Sequence, residues 1–260
     1  MIRLLNDRVS LRRYQAEPVR EEHMEAILDA AISAPTAGNQ MLYSILRIED
    51  ERKKSRIAEL CNHQKFIASA PVILIFLADQ YKWYRYNRSM GVPEFAEAEG
   101  ISFRTPDLSD LLLAFEDTMV AAHSAVIAAE SLGIGSCYIG SSLINDRELA
   151  KLLDLPEHVV PLMVLPMGYY PENIKRVHSQ RFEKRFVVFE ENYRRLGDEE
   201  LEEMFRSRAE KYFRPSESER AQNYAQLFYK KKTGNPFMDL MTRSLAEILC
   251  RWHKDFTSGK

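Results

Sequence analysis

The sequence has few cysteines, and they lie far apart. Cys61, Cys137 and Cys250 are the only three in 260 residues, and they form neither a CxxC pair nor a cluster with the spacing of zinc ligands. This excludes a small scaffold held together by disulfides. We interpret the three cysteines as reduced thiols of a cytoplasmic protein.

The sequence also lacks a long apolar run and an excess of charge of one sign. The longest apolar run, residues 70–78, is too short to cross a bilayer, and no charged stretch followed by an apolar one stands near residue 1. The formal net charge is −2, from 36 basic and 38 acidic residues, whereas proteins that follow nucleic-acid phosphates usually carry a clear basic excess. We therefore expect neither a membrane nor a nucleic acid as partner.

Glycine-rich nucleotide-binding motifs are missing as well. Neither GxGxxG nor GxxxxGK[ST] occurs, so no motif indicates a Rossmann or P-loop site. What is present is an ordinary globular composition, with 45% apolar and 28% charged residues. The length suits one large domain, alone or with an appendage.

Hydrophobic periodicity predicts alternating helices and strands up to about residue 193. Residues 71–79 are apolar at nearly every position, as in a strand covered on both faces. Residues 80–105 show weak periodicity and are predicted to form a lid or an irregular insertion. The other predicted elements are helices at 21–33, 51–60 and 107–132, strands at 43–48, 134–140 and 159–167, and a helix opened by a capping box of Asn145 and Glu148.

The helix predicted at 107–132 is apolar over more than one stripe. A helix of this kind needs neighbours on several sides. It fits either the central helix of a monomer or a helix packed against its counterpart in a dimer.

After residue 193 the pattern changes to amphipathic helices without strands. Three helical segments are predicted, opened by Asp198, by Ser216 with Glu219, and near Pro236. We therefore divide the chain into a core domain, residues 1–193, and a helical C-terminal extension, residues 194–260, that packs on the core or on a dimer.

The segment DRVSLRRY, residues 7–14, contains the first candidate binding residues. Side chains of an extended chain alternate between two sides, so Arg8, Ser10 and Arg12 would face the same way. Two guanidinium groups and a hydroxyl on one face make a suitable anion site. A solvated basic strand is the alternative interpretation.

Two loops contain small residues that leave the main chain accessible. APTAGNQ, residues 34–40, follows the end of a helix and offers a row of backbone N–H donors. GIGSCYIGSS, residues 133–142, places small residues where a flat ligand could approach. For the first loop the alternative is a purely structural connector between helix and strand.

Five segments taken together resemble the nitroreductase family. They are RVSLRRY at 8–14, APTAGNQMLY at 34–43, APVILIFLAD at 70–79, GIGSCYIG at 133–140 and PMGYYPE at 166–172. The resemblance covers about residues 1–193 and implies an α+β sandwich, in which a mostly antiparallel sheet is flanked by helices. It also implies an intertwined homodimer with one FMN at each subunit interface.

The resemblance assigns Arg8 to the FMN phosphate, with Val9 and Ser10 contributing polar groups nearby. Arg12 falls where the family places a cation near N1 and the C2 carbonyl of the isoalloxazine. A guanidinium there would stabilise the negative charge that two-electron reduction leaves on this edge of the ring. The second phosphate-binding cation is Arg181, with two alternatives nearby: Lys175 and Arg176.

The resemblance also assigns ring contacts. The family's flavin-binding loop, expected to meet the ring of the partner subunit, is matched by Pro35, Thr36, Ala37 and Asn39. Asn62 matches a position that hydrogen-bonds the pyrimidine edge of the flavin, and an ordinary helix-terminal asparagine is the alternative. The segment along the ring is matched by Tyr138, Ile139 and Gly140. The Gly140 N–H would reach N5, the atom that accepts hydride, and the neighbouring Cys137 is interpreted as a buried structural thiol.

The implied activity is that of an FMN-dependent oxidoreductase. It would pass a hydride from NAD(P)H to a small-molecule electron acceptor, such as a nitroaromatic or a quinone, in ping-pong order. Because the cofactor performs the hydride step, no side-chain acid or base and no metal is assigned. Two alternatives stay open: a flavin-binding storage or sensor protein with little turnover, and an ene-reductase or dehalogenase on the same scaffold.

Overall fold

The computed structural model describes residues 2–216 and 220–252. One sheet contains four strands: β1 (Tyr43–Ile48), β2 (Val72–Asp79), β3 (Ile134–Ser136) and β4 (Val159–Tyr169). Their order is β1–β2–β4–β3, and every neighbouring pair is antiparallel. The predicted antiparallel sheet is therefore confirmed.

Helices of very different length make up much of the rest of the described chain. They are α1 (Ile2–Asp7), α2 (Glu21–Ile32), α3 (Glu51–Leu60), α4 (Lys65–Ala68), α5 (Tyr81–Ser89), α6 (Val92–Ala98), α7 (Leu108–Ser131), α8 (Asp146–Leu152), α9 (Asp198–Tyr212), α10 (Tyr224–Phe228) and α11 (Pro236–Trp252).

Strand β2 is the centre of the core, because all of its residues are buried. Its alternating side chains enter two different hydrophobic clusters. Leu74 and Phe76 pack with residues of α2 and α7, whereas Ile73 and Ile75 pack with residues of α3, α4 and α8. Helices therefore cover both faces of the sheet, which is the α+β sandwich that the resemblance implied.

Helix α7 is the longest element of the described chain, with 24 residues. By length and apolar composition it could cross a membrane, and it is the one described helix of which this is true. Ten of its residues are buried inside the protein, including the acidic residues Asp117 and Glu130. It therefore has the character of a core helix, although one stripe of its surface stays exposed: Leu112, Met119 and Val120.

The chain divides into two compact units. The first contains the described residues up to Arg176 and those from Met241 onward, and the second is Val177–Leu240. The end of α11 belongs to the core of the first unit, because Ile248 and Trp252 share a buried cluster with residues of α7 and β4.

The second unit has internal contacts of its own. Arg185 forms an ion pair with Glu203 of α9 at 2.7 Å, and the Arg208 guanidinium lies 3.6 Å from the centre of the Phe182 ring. The predicted domain boundary at residue 193 falls inside this unit, so the division into a core and a C-terminal extension stays a prediction.

Residues 80–105 differ from the prediction of an irregular insertion. They contain two helices, α5 and α6. Several large apolar side chains of residues 80–105 are exposed, including Tyr86, Met90 and Phe95. Because no buried stripe repeats along them, the sequence shows little helical periodicity.

Two predicted helix starts also differ in detail. Asn145 precedes α8, but its side chain donates to Leu60 O at 2.7 Å and caps nothing, so the predicted capping box is wrong. The second described helix of this part of the chain, α10, begins after Asn223, whose side chain caps it, and not at the predicted Ser216. Glu219, the predicted partner of Ser216, lies outside the described residues.

One buried carboxylate fastens the loop between α2 and β1 to α7. Asp117 accepts hydrogen bonds from Thr36 Oγ1 at 2.5 Å, from the Ala37 N–H at 2.8 Å and from the Leu42 N–H at 3.1 Å. These three donors compensate the burial of the carboxylate without a cation. The position of the loop therefore depends on a residue that is distant in sequence.

We expect Asp117→Ala to lower the free energy of unfolding by about 2–4 kcal/mol, because the amides of Ala37 and Leu42 would lose their acceptor. Urea unfolding followed by circular dichroism measures the change. The matched control is Glu116→Ala, which removes an exposed carboxylate from the same helix and should change the stability by less than about 0.5 kcal/mol. Equal effects of the two substitutions would contradict this role of Asp117.

Candidate functional site

The segment that follows α1 lies along strand β3. The Leu11 N–H donates to Ser136 O at 2.9 Å, and the Leu11 side chain is buried. A Cβ on Gly135 would stand 2.5 Å from Leu11 and 2.7 Å from Tyr170, so this approach requires glycine. The expectation that the small residues of this loop admit a flat ligand is therefore wrong for Gly135, which admits protein side chains instead.

Arg8, at the start of this segment, carries a buried donor without an acceptor. The residue is half-buried, and its Nη1 atom forms no hydrogen bond with any residue that the structure describes. An unpaired buried donor costs about 1–3 kcal/mol, so such atoms normally have a partner. Arg8 is therefore suited to bind an anion supplied from outside the chain.

The groups next to Arg8 and Arg12 experience their positive charge. Burial raises the pKa of the Tyr138 hydroxyl to about 12, and the charge of Arg8 opposes this rise. Burial also raises the pKa of Cys137, against the charge of Arg12, a hydrogen bond with Ser10 and the charge of Arg8. Cys137 is therefore a buried, protonated thiol at neutral pH, as interpreted from the sequence.

A second stretch of chain reaches Arg12 from the end of α3. The exposed Arg12 guanidinium lies 5.8 Å from the centre of the Phe66 ring, within the range of a cation–π contact. Asn62 is exposed in the preceding turn, where it has a left-handed φ of 65°. Gln64 Nε2 ties this turn to the loop after β3 by donating to Ser141 Oγ at 3.1 Å.

Three segments of the chain thus meet in one region: 8–12, 62–66 and 137–141. Gly140 is exposed there, and no atom lies within 4 Å of the position that a Cβ would take. Ile139 is buried and bridges to Val164 of β4, which fixes the segment against the sheet. Val9 is half-buried. The main chain of Gly140 is therefore accessible in this region, and Arg8 and Arg12 supply positive charge to it.

The loop around residues 35–40 is held by hydrogen bonds from two helices as well as by its own turn. Asp117 of α7 holds one side of it, and Trp83 of α5 donates from Nε1 to Gln40 O at 2.8 Å. Pro35 and Asn39 are exposed. Neither of these two hydrogen bonds links the loop to segments 8–12, 62–66 or 137–141 of the same chain.

The amides of this loop are used inside the protein. Those at positions 37 and 39–42 donate within the chain: Ala37 and Leu42 to Asp117, Met41 to Thr36 Oγ1 at 2.8 Å, and the others to carbonyls of the same turn. The expected row of free N–H donors is therefore wrong at these positions. The physical reason is that a buried carboxylate and a tight turn take the donors first.

A pocket of about 290 Å³ opens between this loop and α5. Its walls combine an amide, a thioether, an ammonium group and two aromatic rings: Gln40, Met41, Lys82, Trp83 and Tyr86. A larger, mainly apolar cavity of about 650 Å³ lies in the second unit, but all of its lining residues fall between Leu201 and Thr233. None of the predicted site residues contributes to that larger cavity.

Arg181, the remaining predicted residue, is exposed in the second unit. The residues on both sides of it contact α9, since Arg208 donates to Gln180 O at 3.1 Å and stacks on Phe182. Its role in phosphate binding stays a prediction. Among the described residues no group of His, Cys, Asp or Glu side chains is placed to hold a metal ion.

Two buried acidic residues of α7, Asp117 and Glu130, have roles that the sequence patterns did not predict. Glu130 accepts hydrogen bonds from Tyr170 Oη at 2.8 Å and from Arg176 Nη1 at 2.5 Å. A carboxylate on the apolar stripe of a helix is a detectable signal, because charged residues are almost never buried without a partner. That signal identifies the residue but not the partner.

Sequence comparison identifies relatives over most of the chain. A model described as "Nitroreductase family" matches residues 5–169. An NAD(P)H FMN reductase of Bacillus subtilis strain 168 is 33% identical over 201 residues, which are 77% of this chain and 76% of that protein. An oxygen-insensitive NADPH nitroreductase of Salmonella typhimurium is 33% identical over 211 residues, which are 81% and 82% of the two chains.

Solved structures share the fold. The structure of Bacillus megaterium NfrA2 superposes with a TM-score of 0.73 at 27% identity, covering 94% of this chain and 96% of that one. The NADPH:FMN oxidoreductase from Vibrio harveyi, complexed with NAD+, superposes with a TM-score of 0.77 at 22% identity, covering 95% and 97%. The resemblance seen in five sequence segments is thereby confirmed, and the chain belongs to the nitroreductase family.

Proposed function

We propose that this protein is an FMN-dependent oxidoreductase that passes a hydride from NAD(P)H to a small-molecule electron acceptor, such as a nitroaromatic or a quinone, in ping-pong order. The relatives are named as NAD(P)H-dependent FMN reductases and nitroreductases, which supports this activity. None of these names favours a flavin storage or sensor protein, an ene-reductase or a dehalogenase.

The observation that carries the proposal is the buried Nη1 of Arg8, which has no partner among the described residues. A donor of this kind fits a phosphate, because guanidinium groups form strong charge-assisted hydrogen bonds with its oxygens. Val9 and Ser10 belong to the same extended segment and would add local polar groups. Arg181 of the second unit is proposed as the second phosphate-binding cation.

The region where the three segments meet is proposed to hold the rest of the cofactor. When bound, FMN supplies the two-electron chemistry that takes hydride from NAD(P)H and delivers it to the acceptor. The open main chain of Gly140, with Tyr138 and Ile139 beside it, would lie along the ring and donate an N–H. Asn62 would bind the pyrimidine edge, and Arg12 would place a cation near the ring atoms that become negative on reduction.

We further propose a homodimer, in which the loop of one subunit meets the flavin of the other. In this arrangement the loop residues are Pro35, Thr36, Ala37 and Asn39. The loop forms hydrogen bonds with α7 and α5, and none of these bonds involves the Arg8 segment of the same chain. This supports a contact between the loop and the flavin of the other subunit. The exposed apolar stripe of α7 gives further support, because contiguous exposed apolar residues often mark an interface.

The pocket of about 290 Å³ between the loop and α5 is proposed to receive the electron acceptor. Two aromatic rings and an ammonium group suit a planar, electron-poor molecule. A cytoplasmic location is also part of the proposal, and the free, buried thiols of Cys61 and Cys137 support it.

Anaerobic rapid mixing tests the proposed function. Protein loaded with FMN should lose its yellow absorbance when mixed with NADH or NADPH and regain it when a nitroaromatic or a quinone is added. Steady-state rates at varied concentrations of both substrates should give the parallel double-reciprocal lines of a ping-pong reaction. If the protein takes up no FMN, the proposal is wrong. If NAD(P)H reduces the bound flavin only over hours, the result favours the storage alternative.

Arg12→Gln should lower the two-electron midpoint potential of the bound flavin, because it removes a cation that stabilises the reduced form. If the reduced flavin loses about 1.4 kcal/mol of stabilisation, the midpoint potential falls by about 30 mV. Anaerobic equilibration with a reference dye measures the potential. Arg13→Gln is the matched control, since it removes the same charge from the neighbouring exposed residue. Equal shifts in both variants would indicate a general charge effect and contradict the role of Arg12.

Met119→Asp, in the exposed stripe of α7, should convert the dimer to a monomer and release FMN, because burying an unpaired charge in an apolar contact is costly. Sedimentation velocity, with protein and flavin absorbance recorded together, measures both effects. Arg52→Asp changes the charge of an exposed residue on α3 and should leave the dimer and its flavin unchanged. A flavin-loaded monomer of the unsubstituted protein at micromolar concentration would refute the proposed dimer.

A further inference from the structure

Helix α7 ends with a buried glutamate in an unfavourable position. Glu130 is the next-to-last residue of the helix, and its side chain is only 3% exposed. A carboxylate near a helix C-terminus opposes the helix dipole, and its burial adds a desolvation cost. Two partners compensate it: Tyr170 Oη donates to Oε2 at 2.8 Å, and Arg176 Nη1 donates to Oε1 at 2.5 Å.

Arg176 extends this network to the residue that precedes Arg8. Its Nη1 also donates to Asp7 O at 2.9 Å, and its guanidinium lies 4.1 Å from the centre of the Tyr170 ring. Asp7 is the last residue of α1, so the bond satisfies a carbonyl at a helix end. The network thereby holds the main chain at the point where Arg8 leaves the helix.

Arg176 and Arg8 differ in how their charge is compensated. Glu130 forms a direct ion pair with Arg176, whereas the buried Nη1 of Arg8 has no hydrogen-bond partner in the described chain. Both act on the same neighbour: burial and the hydrogen bond to Glu130 raise the pKa of Tyr170 to about 12, and the charges of Arg176 and Arg8 oppose that rise. The Glu130 carboxylate is thus paired with Arg176 and leaves the buried Nη1 of Arg8 without an acceptor among the described residues.

We infer that Arg176 and Glu130 are positioning residues for Arg8. The pair fixes the main chain at Asp7 and engages the Glu130 carboxylate with Arg176, so that the Arg8 guanidinium can bind the FMN phosphate. This inference rests on the proposed function, and in it neither member of the pair touches the cofactor. Arg176, an alternative phosphate-binding cation by sequence, thus has a different role, because its Nη1 is already engaged twice.

The test compares the affinities for FMN and riboflavin, which differ only in the phosphate. Fluorescence titration of the apoprotein should show a preference of the unsubstituted protein for FMN, and Arg8→Ala should remove most of it. Arg176→Gln should weaken FMN binding by about tenfold and riboflavin binding by less than about twofold. The reason is that the Asp7 carbonyl is released and Glu130, left without its cation, competes with the phosphate for Arg8.

Two further variants separate positioning from folding. In the double variant Arg176→Gln with Glu130→Gln, no free carboxylate remains to compete, so part of the FMN preference should return. Arg176→Lys keeps the charge but loses the forked geometry of the guanidinium, so it should retain a preference between those of the unsubstituted protein and Arg176→Gln. If Arg176→Gln fails to fold, the ratio of FMN to riboflavin affinity in these two variants tests the inference.

A matched control uses another arginine that links two elements. Arg47 of β1 pairs with Glu21 of α2 at 2.6 Å, and Arg47→Gln should leave the ratio of FMN to riboflavin affinity unchanged. Parallel losses for both ligands in the Arg176 variants, or no loss at all, would mean that the pair only stabilises the fold and would overturn the inference. If instead the unsubstituted protein shows no preference for FMN, the proposed binding of the FMN phosphate at Arg8 fails, and the inference fails with it.

Discussion

The long helix α7 organises this protein through two buried carboxylates. Asp117 holds the loop between α2 and β1, and Glu130 holds Tyr170 and Arg176, which reach the main chain before Arg8. At the rise of an α-helix these two carboxylates stand roughly 20 Å apart along the axis. A rigid helix therefore sets the spacing between two regions that are distant in sequence and that are both proposed to meet a flavin.

The two carboxylates are compensated in different ways. Asp117 receives three hydrogen bonds from neutral donors, whereas Glu130 receives a cation and a hydroxyl. Because Glu130 pairs with Arg176 and not with Arg8, the buried Nη1 of Arg8 has no hydrogen-bond partner among the described residues. An anion that binds there would satisfy a donor that folding leaves unpaired, so ligand binding and stability are linked.

The regions proposed to contact the acceptor lie on the surface and not in the core. Helix α5 exposes aromatic side chains, and its Trp83 donates a hydrogen bond to Gln40 O in the loop between α2 and β1. These residues contribute little to the core, so their identity is free to follow the substrate without affecting the sheet. Members of one family can therefore differ in acceptor while they share the sandwich.

Local sequence pattern alone predicted the four strands, the longer helices and the family resemblance, although β3 ends at Ser136 and not at residue 140 as predicted. The uniform apolarity of β2 predicted its burial on both faces, and the order of five segments identified the nitroreductase resemblance before any contact was known. The exposed helices α5 and α6 were not predictable in this way, since no face of them repeats a buried stripe.

Tertiary structure decided which groups are used and which are left open. Sequence marked residues 34–40 as a row of donors, but Asp117 and the loop's own turn occupy most of them. Gly135 has the small size that a ligand would need, yet it makes room for Leu11. Arg8 and Arg176 are both candidate phosphate-binding cations by sequence, and only folding pairs Arg176 with Glu130 and leaves Nη1 of Arg8 without a hydrogen-bond partner among the described residues. The physical reason is that satisfaction of a polar group depends on its neighbours in space, whereas periodicity reports only neighbours along the chain.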